Sequence, residues 1–368
     1  METEYHLIGK IPVRNIWLLM LYASQLYRQK GFNKFEIEEN PDNIPDLVAE
    51  FLAHAVERRL KRNLTFGYQV SDAVMSRVRG RIDLLKTERH QLLPRGKVAC
   101  RFEDLTVNTP RNRYVRAALN KISQIVHNSN LAHRCRSLSN SLRELGVSGE
   151  KPTRAVMSTD RQSRHDVEDR IMISAAHFAF DLALPTEQKG PRLLPIADRD
   201  ENWIRRLFEK AIAGFYEVVL SNQGWRVDAG KTIHWQIEDK TPGIDRILPH
   251  MRTDIMLEHS EKQRRIIIDT KFTGILSSGY YREETLRSGY IYQIYTYLRA
   301  MEKEGDPLSL NSCGIILHPA IDLMLRETVI IQGHPILFVT VDLAAKPGEI
   351  RKQLLEIIQE FDKKSLFN

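Results

Sequence analysis

The stretch TDIMLEHSEKQRRIIIDTK, residues 253–271, decides how the 368-residue chain is read. Two apolar, β-prone runs, Ile255-Met256-Leu257 and Ile266-Ile267-Ile268, flank the charged residues 258–265, which is the pattern of a β-hairpin. A turn centred between Glu261 and Lys262 sets Asp254 opposite Asp269 in an antiparallel ladder. Side chains alternate faces with period two, so Lys271 emerges on the face of Asp269. Two carboxylates and an ammonium are therefore expected together at the end of a hairpin whose triple isoleucine marks a buried central strand.

A hard divalent cation gives such a grouping a reason. Mg2+ takes oxygen ligands from one or two carboxylates, keeps several waters and shares the rest of its shell with a substrate phosphate. Lys271 is then expected to orient or help deprotonate the attacking water and to offset charge building on phosphorus. The alternative is a salt-bridged hairpin with no chemistry, against which the matching register of Asp254 weighs.

At these residues the chain resembles the PD-(D/E)XK nuclease core, with Asp254 as first acid, Asp269 as second and Lys271 as the motif lysine. Asp269-Thr270-Lys271 fits the second half of that motif, whereas Thr253 stands where its name-giving Pro would precede Asp254. Downstream, Gln293-Ile294-Tyr295-Thr296-Tyr297 looks like the QxxxY motif of RecB-like members. The resemblance implies Mg2+ held by Asp254 and Asp269, with the Thr270 carbonyl as a further ligand and Gln293 supporting the shell. It also implies a Glu on the first helix of the core touching the metal directly or through water, and Glu209 matches that place. A plain surface Glu is the other reading of that position.

The rest of the chain supplies the setting. A net charge of +7 favours a polyanionic partner. Cys100, Cys135 and Cys313 are odd in number and widely spaced, which supports neither a disulfide framework nor a cysteine zinc site and fits a reducing, cytoplasmic compartment. The opening METEYHLIGK lacks a signal pattern, and the apolar segment near Trp17 is too short to span a bilayer, so no membrane association is expected. An almost wholly apolar helix over residues 11–23 is expected to pack on the next, Ile44–Lys61, with Leu47, Phe51, Ala55 and Val56 inside and a basic C-terminal end that complements the helix dipole.

Residues 64–82 are expected to be strands, with Arg77, Arg79 and Arg81 forming a guanidinium row on an extended ribbon. Helices follow: one from Pro110 towards Val126, capped by Asn108 or Thr109, and others over 131–145 and 160–183. A hydrophilic break begins at Pro185. A helix over 201–221 opens a second domain.

Gly224–Thr232 fails as a phosphate loop because five residues, not four, separate its first Gly from Gly-Lys-Thr, and because it enters a strand. Binding of GTP or ATP by the chain itself is not expected. Tyr280, Tyr281, Arg282 and Arg287 are candidate phosphate or base contacts in a loop over the site. A helix over 288–304 presents Gln293 and Tyr297 on one face. Strands at 313–319 and 335–341 and a helix over 347–363 close the chain, and His318 reads as a strand-end histidine.

The opening IPVRNIWLLMLYA, the Gly80-Arg81-Ile82-Asp83 turn, residues 108–116 and the span from LPHMRTDI to YQIYTYL together resemble the McrC nuclease subunits of McrBC modification-dependent restriction systems. That resemblance covers nearly the whole chain. It implies an α/β protein with two domains: a mostly helical N-terminal domain with a small β element, residues 1–195, and a PD-(D/E)XK core of mixed sheet flanked by helices, residues 196–368. The first would dock on a ring of a separate AAA+ GTPase, McrB, and stimulate hydrolysis; the second would cut double-stranded DNA. Self-association through the nuclease domain stays open, as does an arginine reaching the partner's nucleotide sites. Two rivals stand beside this reading: a non-catalytic adaptor of an AAA+ motor, and a stand-alone exonuclease, against which a large N-terminal domain without catalytic motifs argues.

Overall fold

The computed structural model describes residues 11–24, 26–28, 43–160, 167–187, 198–278, 284–320 and 323–362. By contacts the chain separates into two compact units, Pro45–Glu187 and a second that joins Met1–Ile44 to Gln188–Asn368. This differs from a single break near residue 195, because the start of the chain counts with the C-terminal unit. The residue-level reason lies in α1 (Val13–Ala23). Its Tyr22 ring meets Phe215 at 5.2 Å, and its Asn15 side chain donates to the carbonyls of Leu343 and Ala345. The helix expected to pack on the Ile44–Lys61 helix is instead part of the C-terminal core.

The Pro45–Glu187 unit is built from helices around a small sheet. In α2 (Ile44–Lys61) the buried stripe is Ile44, Val48, Leu52 and Val56, with Ala49 and Ala53. Leu47, Phe51 and Ala55 sit at its margin, only partly buried. β1 (Gly67–Met75), β2 (Arg81–Ile82), α3 (Leu84–Arg89) and β3 (Val98–Thr106) follow, and β3 is the middle strand of an antiparallel three-stranded sheet. The expected arginine ribbon is broken. Gly80 takes φ +68°, with the Arg101 carbonyl against it, and only Arg81 of the three lies in a strand. Arg79 turns back to Asp104 at 2.8 Å and over the Phe102 ring.

α4 (Pro110–Ile122) begins as expected, with Pro at its first position and the Thr109 side chain accepting from the Asn112 N–H. After α5 (Ser129–Glu144), the helix expected over 160–183 is replaced by α6 (Arg154–Thr159) and α7 (Val167–Glu187), so the break expected from Pro185 starts later. A buried ion-pair network fastens α2, α4 and α7. Arg111 clasps Asp160 through Nε and Nη2 and reaches Asp169 at 2.9 Å, while Arg59 of the basic helix end points inward to the same Asp169.

The second unit continues with α8 (Asp198–Leu220), tied by the Tyr216 hydroxyl to the Leu354 carbonyl. β4 (Arg226–Ala229), β5 (Thr232–Ile233) and β6 (Met251–Arg252) precede the hairpin of β7 (Ile255–His259) and β8 (Arg264–Thr270). β9 (Leu276–Ser278) pairs with β10 (Glu284–Leu286); then come α9 (Ser288–Ala300), α10 (Pro307–Leu310), β11 (Cys313–Pro319), β12 (Arg326–Ile331), β13 (His334–Val341) and α11 (Pro347–Asp362).

Six strands form one mixed sheet in the order β12-β13-β11-β8-β7-β4, with β11 parallel to β8 and β13. β8 is thus interior, and Ile266, Ile267 and Ile268 are fully buried. Ile267, Ile316, Ile336 and Phe338 of the sheet pack with Ile294, Tyr297 and Leu298 of α9. α11 buries the expected Ile350, Leu354, Ile357, Ile358 and Phe361. All three cysteines are buried free thiols. Among the described residues no helix is long and apolar enough to cross a membrane.

Candidate active site at the end of the central hairpin

The hairpin register pairs Ile255 with Ile268, and continuing it by one step sets Asp254 opposite Asp269. Asp254 is held by β8 itself: its Oδ2 accepts from the N–H and the hydroxyl of Thr270, each at 2.8 Å. The segment before it is pinned by a turn at Gly230, φ +66°, whose N–H donates to the Asp254 carbonyl. Thr253, in the place of the motif proline, donates its N–H to the Lys231 carbonyl at 3.0 Å. A proline has no N–H to give, so this chain keeps a hydrogen bond that the motif residue would forgo.

Asp269 is 1 % exposed and Lys271 7 %, and Lys271 Nζ lies 2.8 Å from Asp269 Oδ2. The contact is an ion pair outside hydrogen-bond alignment, and neither buried oxygen of Asp269 takes an aligned hydrogen bond. Burial raises the Asp269 carboxyl to about 6, Asp254 adds to the rise, and Lys271 opposes it. Lys271 Nζ also donates to Gln293 Oε1 at 3.0 Å. Gln293 Nε2 donates to the Tyr297 hydroxyl at 2.7 Å, which donates to the Arg252 carbonyl at 2.9 Å. A carbonyl can only accept and an ammonium can only donate, so both ends of this chain fix its direction. The Gln293 amide therefore shows its oxygen to Lys271.

Glu209 of α8 is half-buried, and its carboxyl is raised first by burial and then by the nearby Asp254 charge. Arg205, one turn earlier, bears electrostatically on both Glu209 and Asp269. Among the described residues no three His, Cys, Asp or Glu side chains form a ready metal cage. The donor set is two carboxylates with their remaining capacity, which suits a cation that retains waters. The unsatisfied, buried oxygens of Asp269 are the specific feature that fits one.

Comparison with known proteins shows what the chain is similar to. Residues 3–166 match the family model described as "McrBC 5-methylcytosine restriction system component". Over 355 residues the chain is 27 % identical to the Escherichia coli K12 protein "Type IV methyl-directed restriction enzyme EcoKMcrBC", spanning 95 % of this chain and 98 % of that one. The chain thus resembles components of McrBC restriction systems. A solved chain from an assembly of Thermococcus gammatolerans McrB AAA+ hexamers with bound McrC is also similar, at 14 % identity and a TM-score of 0.42, covering 94 % of this chain and 76 % of that one. At that score the likeness is too slight to argue from.

In this chain Asp254, Asp269, Lys271 and Gln293 are brought together as the sequence led one to expect, and Glu209 lies within electrostatic reach. Thr270 is placed differently in emphasis: its observed contacts are the two donors that fix Asp254. Tyr280, Tyr281 and Arg282 lie outside the described residues. Arg287 stands at the N-cap of α9 with its guanidinium 5.8 Å from the Tyr290 ring centre.

Tyr290 and Arg205 escaped the sequence reading. Lys271 Nζ sits 5.0 Å from the centre of the Tyr290 ring. The signal was present: Tyr290, Gln293 and Tyr297 recur at i, i+3 and i+7, one face of a helix, and Arg205 stands four residues before Glu209.

Proposed function

We propose that the chain is the endonuclease subunit of a modification-dependent, type IV restriction complex, hydrolysing double-stranded DNA with Mg2+ and stimulating a partner AAA+ GTPase ring. The observation that carries this reading is the buried Asp269–Lys271 ion pair beside Asp254 at the end of the central strand. A structural ion pair alone gives no account of Asp269 oxygens that are buried and poorly satisfied. Kinship with a relative named as a restriction enzyme points the same way.

Asp254 and Asp269 would hold Mg2+, with the Thr270 carbonyl as a further oxygen. When bound, such a cation acidifies water and draws charge from a phosphoryl oxygen. The chain's own groups do the rest. The Lys271 ammonium, aimed by Asp269 and Gln293, sets positive charge where negative charge develops on the phosphoryl group. Glu209, close enough to Asp254 to feel its charge, would accept a hydrogen bond from water beside it. The exposed Arg205 draws the phosphate backbone towards the acids and offsets their repulsion.

The test is cleavage of methylated and unmethylated circular plasmid by the purified chain with Mg2+, with and without an McrB-like AAA+ partner and GTP. Cutting only in the complete mixture, lost in Lys271→Ala, is the expected result. Stimulation of GTP hydrolysis without cutting of any substrate would replace this reading with the adaptor.

A further inference from the structure

Buried polar atoms without a partner are uncommon, and each calls for a cause. Close to the candidate site, one such atom belongs to a residue given no role so far: Nε2 of His318. Thr270 pairs with Leu317 in the parallel β8–β11 ladder, and the Lys271 N–H donates to the Leu317 carbonyl. His318 is therefore the lateral neighbour of Lys271, and the alternation of side chains puts both on one face. Both groups lie near the same ring. Lys271 Nζ lies 5.0 Å, and the imidazole centre 5.8 Å, from the centre of Tyr290.

The tautomer of the fully buried His318 is determined by its neighbour. Nδ1 lies 2.7 Å from the Thr273 carbonyl, which can only accept, so Nδ1 carries the proton and Nε2 presents a lone pair. Burial, with the charges of Lys271 and Arg287, pushes the imidazole down to about 4, so at neutral pH the ring is uncharged. Thr273 Oγ1, on the residue whose carbonyl anchors the ring, is also buried without a partner. Lys271, for its part, donates one N–H to Gln293 and stands beside Asp269 as an ion pair outside hydrogen-bond alignment.

We infer that His318 is a positioning residue for Lys271, acting through one ordered water held between His318 Nε2, Thr273 Oγ1 and an N–H of Lys271 not given to Gln293. The water accepts from the ammonium and donates to the imidazole and to the hydroxyl, which gives it three hydrogen bonds, the usual number for a buried water. A neutral acceptor suits this place because it fixes the ammonium without adding a negative charge that would compete with Asp269. The functional consequence rests on the nuclease reading above; the water site does not.

Two readouts test it. In a crystal structure of the metal-free wild-type chain, density for a water stands about 3 Å from Nε2, and it is lost in His318→Phe. In the plasmid assay, His318→Phe and His318→Asn lower kcat about tenfold with KM unchanged, while His318→Gln, which reaches the Nε2 position, keeps most of the wild-type rate. An anchoring role for the ring alone predicts the reverse order, since Asn can mimic the Nδ1 donor to Thr273 and Gln cannot. Wild-type density without a water at Nε2, or wild-type kcat in His318→Phe, overturns the inference. If the wild-type chain cuts nothing, the nuclease reading fails, and the density alone decides the water site.

Discussion

Lys271, just past the end of β8, and Asp269 within it meet as a buried ion pair at 2.8 Å. Burial on this scale costs each charge several kcal/mol in the absence of partners. An apolar pair at such a place is often at least as stable, so the proposed chemistry gives the ion pair a reason. Replacing Lys271 by Ala or Met is expected to lower cleavage by about 10²–10³-fold while circular dichroism stays that of the wild type. Wild-type cleavage by the folded variant would remove Lys271 from the mechanism.

Asp269 ties acidity to cation binding. Its folded-state pKa of about 6 lies above the ordinary carboxyl value of 3.8, so between these values the folded chain holds the extra proton. The contribution of this group to stability is therefore greatest at low pH and declines as pH rises through about 6. Mg2+ needs the ionised form. The rise in Tm produced by Mg2+ should be full at pH 7.5, shrink as pH falls through 6 and disappear with EDTA, as scanning fluorimetry can show. A Mg2+ shift that does not change with pH would count against Asp269 as a ligand.

Tyr297→Phe removes the link that gives the Gln293 amide its direction. The amide then lacks an acceptor for Nε2 and is held at the Lys271 end alone. A stability loss of about 1 kcal/mol and a fall in kcat of about tenfold are expected, the first from urea unfolding and the second from plasmid nicking. Equal kcat in the two proteins would show that Tyr297 serves packing alone.

Gly214 tests the placement of α1. A Cβ at this position would stand 2.0 Å from the backbone carbonyl oxygen of Tyr22, a contact that no side-chain rotation relieves. Gly214→Ala is expected to cost about 1–3 kcal/mol by overpacking, despite the higher helix propensity of alanine. An unchanged urea midpoint would place α1 elsewhere.

Asp169 is the shared acid of the buried network in the Pro45–Glu187 unit, 1 % exposed and met by both Arg59 and Arg111. Asp169→Ala removes an acid that meets both Arg111 and Arg59 inside the unit, a change expected to cost about 3–5 kcal/mol. Thermal unfolding followed by calorimetry would register it. A loss below 1 kcal/mol would mean that the network is solvated.

Much of the C-terminal unit was legible because its signals are local. The period-two pattern and charged turn of residues 253–271 set the hairpin register, and with it the pairing of Asp254 with Asp269 and the shared face of Lys271. The four-residue spacing of Gln293 and Tyr297 put both on one face of α9. β12 was not anticipated, because Arg326-Glu327-Thr328-Val329-Ile330-Ile331 lies at the sheet edge and alternates poorly.

What tertiary structure alone decided are the long-range choices. An apolar helix announces that it is buried but not against what, so α1 was free in sequence terms to join either neighbour, and packing at Gly214 and Phe215 chose α8. Arg59 read as a dipole-complementing helix end, yet its partner Asp169 lies 110 residues away in the chain. The direction of the Tyr297–Gln293–Lys271 chain and the isolation of His318 Nε2 likewise depend on atoms that only the folded sheet brings within reach. Periodicity along one strand or helix is written in adjacent residues; which surfaces meet, and which polar atoms are left over when they do, is a property of the packed whole.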